Sequence, residues 1–142
     1  MNDPTIINEM LRTAQTIAVV GMSDKSWRAS HNIGRYLVMQ GYHVFPVNPA
    51  LQEVMGLKCY PDLESAHAAA KRDYPDGIDL VDVFRASDKV PPIVEDVIRL
   101  GIAYLWLQED VINDKAIARA RSAGVKCVQN VCIFREHAQR VG

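Results

Sequence analysis

Short apolar runs rich in β-branched residues alternate along the chain with longer amphipathic stretches of helical period. The apolar runs predict five strands, at about 16–21, 43–47, 79–84, 103–107 and 125–128. The amphipathic stretches predict helices at about 4–13, 30–40, 62–72, 90–100 and 113–124, followed by a charged tail at 135–142. Strands separated by helix-length segments form βαβ units, and their right-handed crossovers place helices on both faces of a parallel sheet. The pattern therefore predicts a doubly wound α/β fold.

Capping residues set the expected starts of the first two helices. Asp3 and Pro4 suit the start of the first helix, and Ser30 suits the N-cap of the second. The segment 50–78 is the least regular part of the chain. No repeat, low-complexity stretch or linker interrupts the pattern, so we expect residues 1–142 to form one domain.

The loop after the first strand is the most informative stretch for function. Gly21 permits a tight turn at the strand end, and the loop then carries two cations, Lys25 and Arg28, ahead of a helix. Ser23 and Ser30 add hydroxyl groups, and backbone N–H groups at a helix N-terminus bind phosphates well. Gly21 has no second glycine two residues on, so the dinucleotide pattern G-x-G-x-x-G is absent. The loop predicts a phosphate site, and the alternative is an ordinary solvated βα turn.

The later strands end in uncharged polar, aromatic and basic residues. Asn48 and Pro49 follow the second strand, where a NAD-binding unit has an acidic residue for the ribose hydroxyls, and this counts against NAD. Phe84 and Arg85 end the third strand. In one interpretation, Phe84 stacks on adenine and Arg85 contacts a phosphate. In the other, Phe84 lies in the core and Arg85 lies in solvent. Gln108 ends the fourth strand and suits either a ligand amide or a helix cap.

Composition narrows the function classes. The chain has 142 residues, 16 Lys and Arg, 17 Asp and Glu and a net charge of -1, which gives no support for a nucleic-acid partner. Its three cysteines lack metal-ligand or disulfide spacing. The four histidines are scattered, and no nucleophile, metal or general acid–base motif is present. With no signal-peptide pattern or membrane-length apolar run, we expect a cytoplasmic protein without a membrane partner and without catalytic or metal-binding residues.

Six segments follow one another in the order seen in a known family. The chain resembles the small stand-alone CoA-binding proteins, whose Rossmann-like domain is similar to the CoA-binding domain of the succinyl-CoA synthetase α subunit. The resemblance covers about residues 14–134 and is carried by Val19–Ser23, Val47–Pro49, Gly56–Leu63, Asp79–Arg85, Val90–Val94 and Leu105–Gln108. The ordered set is specific, although each segment alone is common. The resemblance implies a single Rossmann-like, doubly wound domain.

The resemblance also implies that CoA lies across the carboxyl ends of the strands, with its diphosphate on the first loop and its pantetheine arm towards the later strands. The residues implied for the phosphates are Gly21, Ser23, Lys25, Arg28 and Ser30. Those implied for the nucleotide are Asn48, Pro49, Phe84 and Arg85, and Gln108 is implied for the arm. The family often has Asp-Arg-Cys after strand five, whereas this chain has Asn130-Val131-Cys132, so a charged contact is missing there.

The expected function is binding of CoA or an acyl-CoA without catalysis. The synthetases carry a further domain with a phosphorylated histidine, and we expect no room for it in 142 residues, so the resemblance implies binding and not ligation. A second interpretation is a nicotinamide-dependent oxidoreductase, in which Arg85 serves the 2′-phosphate of NADP. A third is a regulatory module that docks on a CoA enzyme and reports its CoA state. The sequence does not identify the protein partner in that third case.

Overall fold

A central sheet of five parallel strands organises the protein, whose computed structural model describes residues 2–141. The strands are β1 (Thr16–Val20), β2 (His43–Val47), β3 (Glu53–Val54), β4 (Leu57–Lys58), β5 (Leu80–Val83), β6 (Tyr104–Leu107) and β7 (Lys126–Val128). The central sheet has the order β2-β1-β5-β6-β7, and every neighbouring pair in it is parallel. The short strands β3 and β4 form a separate antiparallel hairpin.

Helices connect the strands in alternation. The α-helices are α1 (Pro4–Thr13), α2 (Ala29–Met39), α3 (Leu63–Ala70), α4 (Val90–Leu100), α5 (Asp114–Ser122) and α6 (Ile133–Val141). A short 3₁₀ turn at Ser87–Lys89 leads into α4. None of the helices within residues 2–141 combines the length and the apolar character needed to cross a bilayer.

The helices cover both faces of the sheet. Buried side chains of α3, α4 and α5 form one apolar core against it, and buried side chains of α1, α2 and α6 form the other. Strands β1 and β5 are buried along their whole length because both faces are covered, which explains why, apart from Thr16 and Asp82, all their residues are apolar. The prediction of a Rossmann-like, doubly wound α/β fold is confirmed.

The strand order reverses between β1 and β5. The chain first adds β2 on one side of β1 and then crosses to β5 on the other side. Val20 and Val83 are register partners at the ends of these two strands, so the loops that follow them start side by side. In doubly wound sheets ligands bind outside the carboxyl ends of the strands at such a reversal. The fold therefore directs the search for a site to this edge.

The start of α2 differs from the sequence prediction. The helix begins at Ala29, and Arg28 occupies its N-cap position without a side-chain hydrogen bond. The prediction that Ser30 caps the helix is wrong, because Ser30 lies inside the first turn. Its hydroxyl accepts a hydrogen bond from Ser23 N at 3.0 Å and so ties the preceding loop to the helix.

Two further elements were not predicted. The prediction of a charged tail at 135–142 is wrong, because Ile133–Val141 forms α6; Gly142 lies outside the described residues. Ile133 is fully buried, and the ring of Phe134 packs edge-on against Tyr36 at 4.6 Å, so this helix closes one face of the sheet. The irregular segment 50–78 also contains the hairpin of β3 and β4, whose strands are too short to give a periodic signal.

Candidate functional site

Two neighbouring clefts open at the carboxyl edge of the central sheet. The first, which we call the β1 cleft, has a volume of about 440 Å³ and is lined by Gly21, Ser23, Asp24, Lys25, Arg28, Ala29, Ser30, Asn48, Ala50, Leu51 and Phe84. The second, the β6 cleft, has a volume of about 410 Å³ and is lined by Ala29, Ile33, Phe84, Arg85, Gln108, Glu109, Asp110, Val111 and Cys132. The clefts share Ala29 and Phe84, so they adjoin across the strand-order reversal.

The β1 cleft carries positive charge without a firm internal partner. Lys25 lies 3.8 Å from Asp24, and both side chains are well exposed, so this ion pair holds the lysine only weakly. Arg28 forms no salt bridge with any residue from 2 to 141. A guanidinium without a carboxylate partner is available for a bidentate contact with a phosphate.

The N-terminus of α2 opens into the same cleft. Ala29 and Ser30 line the cleft, and their backbone N–H groups donate no hydrogen bond within the described part of the chain. The N-cap residue, Arg28, supplies no side-chain acceptor for them. Unpaired N–H groups and the positive end of the helix dipole both attract a phosphate.

Hydrogen bonds inside the β1–α2 loop fix its shape. Ser23 N donates to the Ser30 hydroxyl at 3.0 Å, and Lys25 N donates to the Ser23 hydroxyl at 3.0 Å. The Nδ1 atom of His31 lies 3.0 Å from the carbonyl oxygen of Ser23. The amides of Ser23 and Lys25 are therefore engaged inside the loop, whereas those of Ala29 and Ser30 are available to a ligand.

Glycine is required at the end of β1. Gly21 has a φ of 87°, and a Cβ there would lie 2.5 Å from the carbonyl oxygen of Phe84 and 3.1 Å from Cδ of Arg85. Its own N–H donates to the carbonyl of Val47 at 2.8 Å. Gly21 therefore lets the ends of β1, β2 and β5 approach closely, and its amide is already used in that packing.

Asn48 braces the wall of the β1 cleft. Its Nδ2 donates to the carbonyl of Met22 at 3.0 Å, and its Oδ1 accepts from Ala50 N at 2.9 Å. Both ends of the side-chain amide thus connect the loop after β1 to the loop after β2. Pro49 is exposed and lies outside both clefts, so of the predicted site residues it is the one that the geometry does not bring to the groove.

Phe84 forms the ridge between the two clefts. Its half-buried ring packs against the core beneath α1, α2 and α6, and it also lines both clefts. The two interpretations of Phe84 from sequence, core residue and ligand contact, are therefore compatible in one side chain. Arg85 is exposed and lines only the β6 cleft.

Gln108 is the most deeply buried polar residue of the β6 cleft, with 3% of its surface exposed. Its Oε1 accepts a hydrogen bond from Ile133 N at 3.1 Å, at the start of α6. Its Nε2 has no hydrogen-bond partner among residues 2–141. Both interpretations from sequence thus apply to different ends of one amide, because Oε1 caps a helix while the NH₂ group remains available to the cleft.

The loops around the β6 cleft are held by polar residues that follow β7. Asp110 and Asn130 both have positive φ values, 72° and 57°, and Asp110 N donates to the Asn130 side chain at 2.8 Å. The Oε1 of Gln129 accepts from Asn113 N at 2.9 Å near the start of α5. These polar groups are engaged in the structure, and Cys132 is the residue after β7 that lines the cleft.

Asp82 lies in β5 below the groove and is completely buried. Its register neighbours are Val19 and Trp106, and neither carboxyl oxygen has a hydrogen-bond partner within residues 2–141. Burial raises the pKa of this carboxyl well above its usual range. Asp82 is therefore held in its neutral form inside the core and does not reach the groove as a base.

Nine lining residues of the groove were not among the predicted site residues: Asp24, Ala29, Ile33, Ala50, Leu51, Glu109, Asp110, Val111 and Cys132. Ile33 and Leu51 add apolar surface, and Cys132 adds a thiol. Ile33 lies one helical turn after Ala29, so the lining face of α2 was readable from the 3.6-residue period. Within residues 2–141 there is no group of three or more His, Cys, Asp or Glu side chains arranged to hold a metal ion.

The chain is similar to known proteins over nearly its whole length. The chain is 33% identical over 132 residues to the uncharacterised protein YneT of Bacillus subtilis. The match covers 93% of this chain and 92% of that protein. It is similar to the solved structure of a hypothetical protein from Pyrococcus horikoshii, with a TM-score of 0.86, 36% identity, and coverage of 99% of this chain and 93% of that one.

A larger enzyme contains a similar region. The chain is similar to the apo form of the dinucleotide-forming acetyl-coenzyme A synthetase 1 of Candidatus Korarchaeum cryptofilum, with a TM-score of 0.65 and 28% identity. The match covers 82% of this chain but only 26% of the synthetase chain. Residues 15–138 also match the family model described as a CoA binding domain. Because that match covers most of its length, the chain belongs to the family of CoA-binding domains.

Proposed function

We propose that the protein binds CoA or an acyl-CoA along the groove formed by the β1 and β6 clefts, and that it catalyses no reaction by itself. The observation that carries the proposal is the difference in charge between the two adjoining clefts. The β1 cleft has the unpaired guanidinium of Arg28 and a helix N-terminus. The β6 cleft has one cation, Arg85, two carboxylates, Asp110 and the Arg135-paired Glu109, and the buried amide of Gln108.

This difference favours one direction of CoA binding. CoA carries phosphates at one end and a pantetheine arm with two amide groups and a thiol at the other. Phosphates are attracted by Lys25, Arg28 and the first turn of α2, and they are repelled by the carboxylates of the β6 cleft. The pantetheine arm therefore crosses the ridge at Phe84 and reaches Gln108. Its amide carbonyl accepts the hydrogen bond that Gln108 Nε2 has to offer.

The absence of catalysis is proposed on the same lining residues. Within residues 2–141, no histidine lines either cleft, and the buried carboxyl of Asp82 is closed off from them. The acetyl-coenzyme A synthetase that shares this fold is several times longer, since the match covers 26% of its chain. We therefore assign ligand binding to the groove and no chemical step.

Isothermal titration calorimetry with CoA, acetyl-CoA, NAD and NADP at one salt concentration tests the proposal. We expect CoA and acetyl-CoA to bind and the nicotinamide dinucleotides to bind much more weakly. Arg72 offers a matched control for Arg28, because it is an exposed arginine outside both clefts. The variant Arg28→Ala should weaken CoA binding and Arg72→Ala should not. Binding of NADP without CoA would overturn the proposal and favour an oxidoreductase.

A further inference from the structure

We propose that Cys132 is a thiol–disulfide exchange site for oxidised CoA, at which the protein forms a reversible mixed disulfide with the ligand. The proposal rests on the proposed function, since it requires that the pantetheine arm enters the β6 cleft. It goes beyond that function because it adds a covalent, redox-dependent state of the protein.

All three cysteines are buried, and Cys132 differs from the other two because it lines the β6 cleft. Cys132 lines the β6 cleft and keeps 9% of its surface exposed. Cys59 and Cys127 line neither cleft, and their sulfur atoms lie 3.6 Å and 3.8 Å from backbone carbonyl oxygens. Burial raises the pKa of both of those thiols. The chain thus contains one thiol in the groove and two structural ones.

A second observation points to a ligand in the same cleft. Gln108 is almost completely buried, lines the β6 cleft together with Cys132, and has an Nε2 group without a partner among residues 2–141. Because Nε2 is not sealed off from the cleft, it is available to donate to an acceptor on a ligand that enters there. An amide carbonyl of the pantetheine arm is such an acceptor, and the thiol of CoA lies at the end of that arm. Gln108 therefore brings the sulfur end of CoA towards Cys132.

Cys132 lies at the N-terminal end of α6. It directly precedes the helix, and its carbonyl accepts a hydrogen bond from Glu136 N at 3.1 Å in the first turn. Arg135 of the same turn donates to Glu109, a residue that lines the β6 cleft with Cys132, at 2.7 Å. The positive end of a helix is a typical neighbour of reactive cysteines, and the thiolate is the attacking species in disulfide exchange.

The proposed reaction needs no oxidant beyond the disulfide itself. The Cys132 thiolate attacks one sulfur of the symmetrical CoA disulfide, and a new sulfur–sulfur bond forms between the protein and one CoA. The original disulfide bond breaks, and the second CoA leaves as a thiolate that takes up the proton lost by Cys132. One disulfide is consumed and one is formed, so electrons balance. Excess free thiol reverses the step.

Intact-mass measurement after incubation with CoA disulfide tests the proposal. We expect a mass gain of one disulfide-linked CoA that peptide mapping assigns to Cys132 and that dithiothreitol removes. Cys132→Ser should abolish the adduct, whereas the matched control Cys127→Ser should form it at the wild-type rate. Glutathione disulfide lacks the nucleotide, so we expect it to react at least roughly tenfold more slowly than CoA disulfide. Arg28→Ala should slow the reaction with CoA disulfide only.

Two results would overturn the proposal. One is an adduct on Cys59 or Cys127 or no adduct at all, and the other is an equal rate with CoA disulfide and glutathione disulfide. Calorimetry with reduced CoA on the same protein separates this failure from failure of the proposed function. If reduced CoA binds and the adduct does not form, the exchange site is wrong and the binding groove stands. If reduced CoA does not bind, both are wrong.

Discussion

The two edges of the central sheet use their polar groups in opposite ways. At the amino edge, Thr16 and Asp79 find partners inside the protein. The buried hydroxyl of Thr16 donates to the carbonyl of Gly77 at 2.7 Å and accepts from Asp79 N at 2.8 Å. The carboxylate of Asp79 in turn accepts from the backbone N–H groups of Gln15 and Thr16 at 2.8 and 3.2 Å. The amino edge is therefore closed by its own hydrogen bonds.

At the carboxyl edge, several polar groups lack a partner within residues 2–141. They include the guanidinium of Arg28, the backbone N–H groups of Ala29 and Ser30, and the Nε2 atom of Gln108. A guanidinium and helix N-terminal N–H groups attract phosphates, so their concentration at one edge indicates a place for a ligand. The comparison indicates that polar groups at the amino edge stabilise the fold, whereas those at the carboxyl edge are available to bind a ligand.

Breaking the amino edge should give the largest effect. Thr16→Val keeps the shape of a fully buried side chain but removes both hydrogen bonds of the hydroxyl, to Gly77 and from Asp79. We expect the free energy of unfolding to fall by about 2.5 kcal/mol, because the buried carbonyl of Gly77 loses its donor and Asp79 N keeps only its 3.2 Å bond to the carbonyl of Thr16. Chemical denaturation measures the loss. CoA affinity should stay at the wild-type value, and a large change in affinity at full folding would contradict the division between the edges.

Breaking the carboxyl edge should affect binding and not stability. Arg28→Ala removes the unpaired guanidinium of the β1 cleft, and we expect CoA binding to weaken by about 2 kcal/mol, roughly 30-fold. The melting temperature should not fall, because Arg28 has no internal partner to lose among residues 2–141. Calorimetry and thermal melting on the same preparations measure both quantities. An unchanged affinity, equal to that of Arg72→Ala, would remove Arg28 from the site.

A third variant distinguishes the two ends of the groove. Gln108→Ala removes a group that the pantetheine arm meets and that ADP does not reach. We expect CoA to lose about 1 kcal/mol more affinity than ADP. The variant should also melt at a lower temperature, since Ile133 N loses its acceptor at the start of α6. Equal losses for CoA and ADP, measured below the melting transition, would place Gln108 outside the ligand site.

Lowering the pH should weaken the amino edge by a smaller amount. The pKa of His67 is lowered, chiefly by burial and secondly by Lys71, and its Nδ1 accepts a hydrogen bond from Ile78 N at 3.1 Å. The folded state therefore binds fewer protons than the unfolded state, so stability is present above the unfolded pKa of about 6.5 and is lost as the pH falls below it.

Denaturation curves at about pH 7.5 and about pH 5.5 test this prediction. His67→Asn keeps an acceptor near the position of Nδ1 but does not titrate, so its stability should decline less than that of the wild type. His43 is exposed and serves as the control, and His43→Asn should follow the wild-type curve. Identical pH dependence in His67→Asn and the wild type would contradict the role of His67.

The strands and the cationic loop were predictable because their signals are local. The run Thr16–Val20 is apolar enough to indicate a strand buried on both faces, and Gly21 with Lys25 and Arg28 marks the turn and charge that follow it. These features depend on a few consecutive residues. Tertiary contacts did not override them, so sequence and structure agree on the β1 cleft.

Features that depend on distant partners were not predictable. Arg135, Glu136 and Arg140 made the last segment look like a solvated tail, although its apolar side chains close the core as α6. The sequence offered helix capping for Gln108 but could not indicate which helix, because its Oε1 caps α6, which was not predicted. Ser30 was chosen as a cap on its residue type alone. Its hydroxyl binds Ser23 N across the loop, a contact that local preference does not encode.

The central claim is that CoA binds at the carboxyl edge and leaves the amino edge untouched. Titration of ¹⁵N-labelled protein with CoA, followed by two-dimensional NMR, tests it most directly because every backbone amide reports at once. We expect the largest shift changes in the β1–α2 loop, at Phe84 and Arg85, and near Gln108 and Cys132. The amides of Thr16 and Asp79 should not move. Changes concentrated at the amino edge, or none at saturating CoA, would contradict the account.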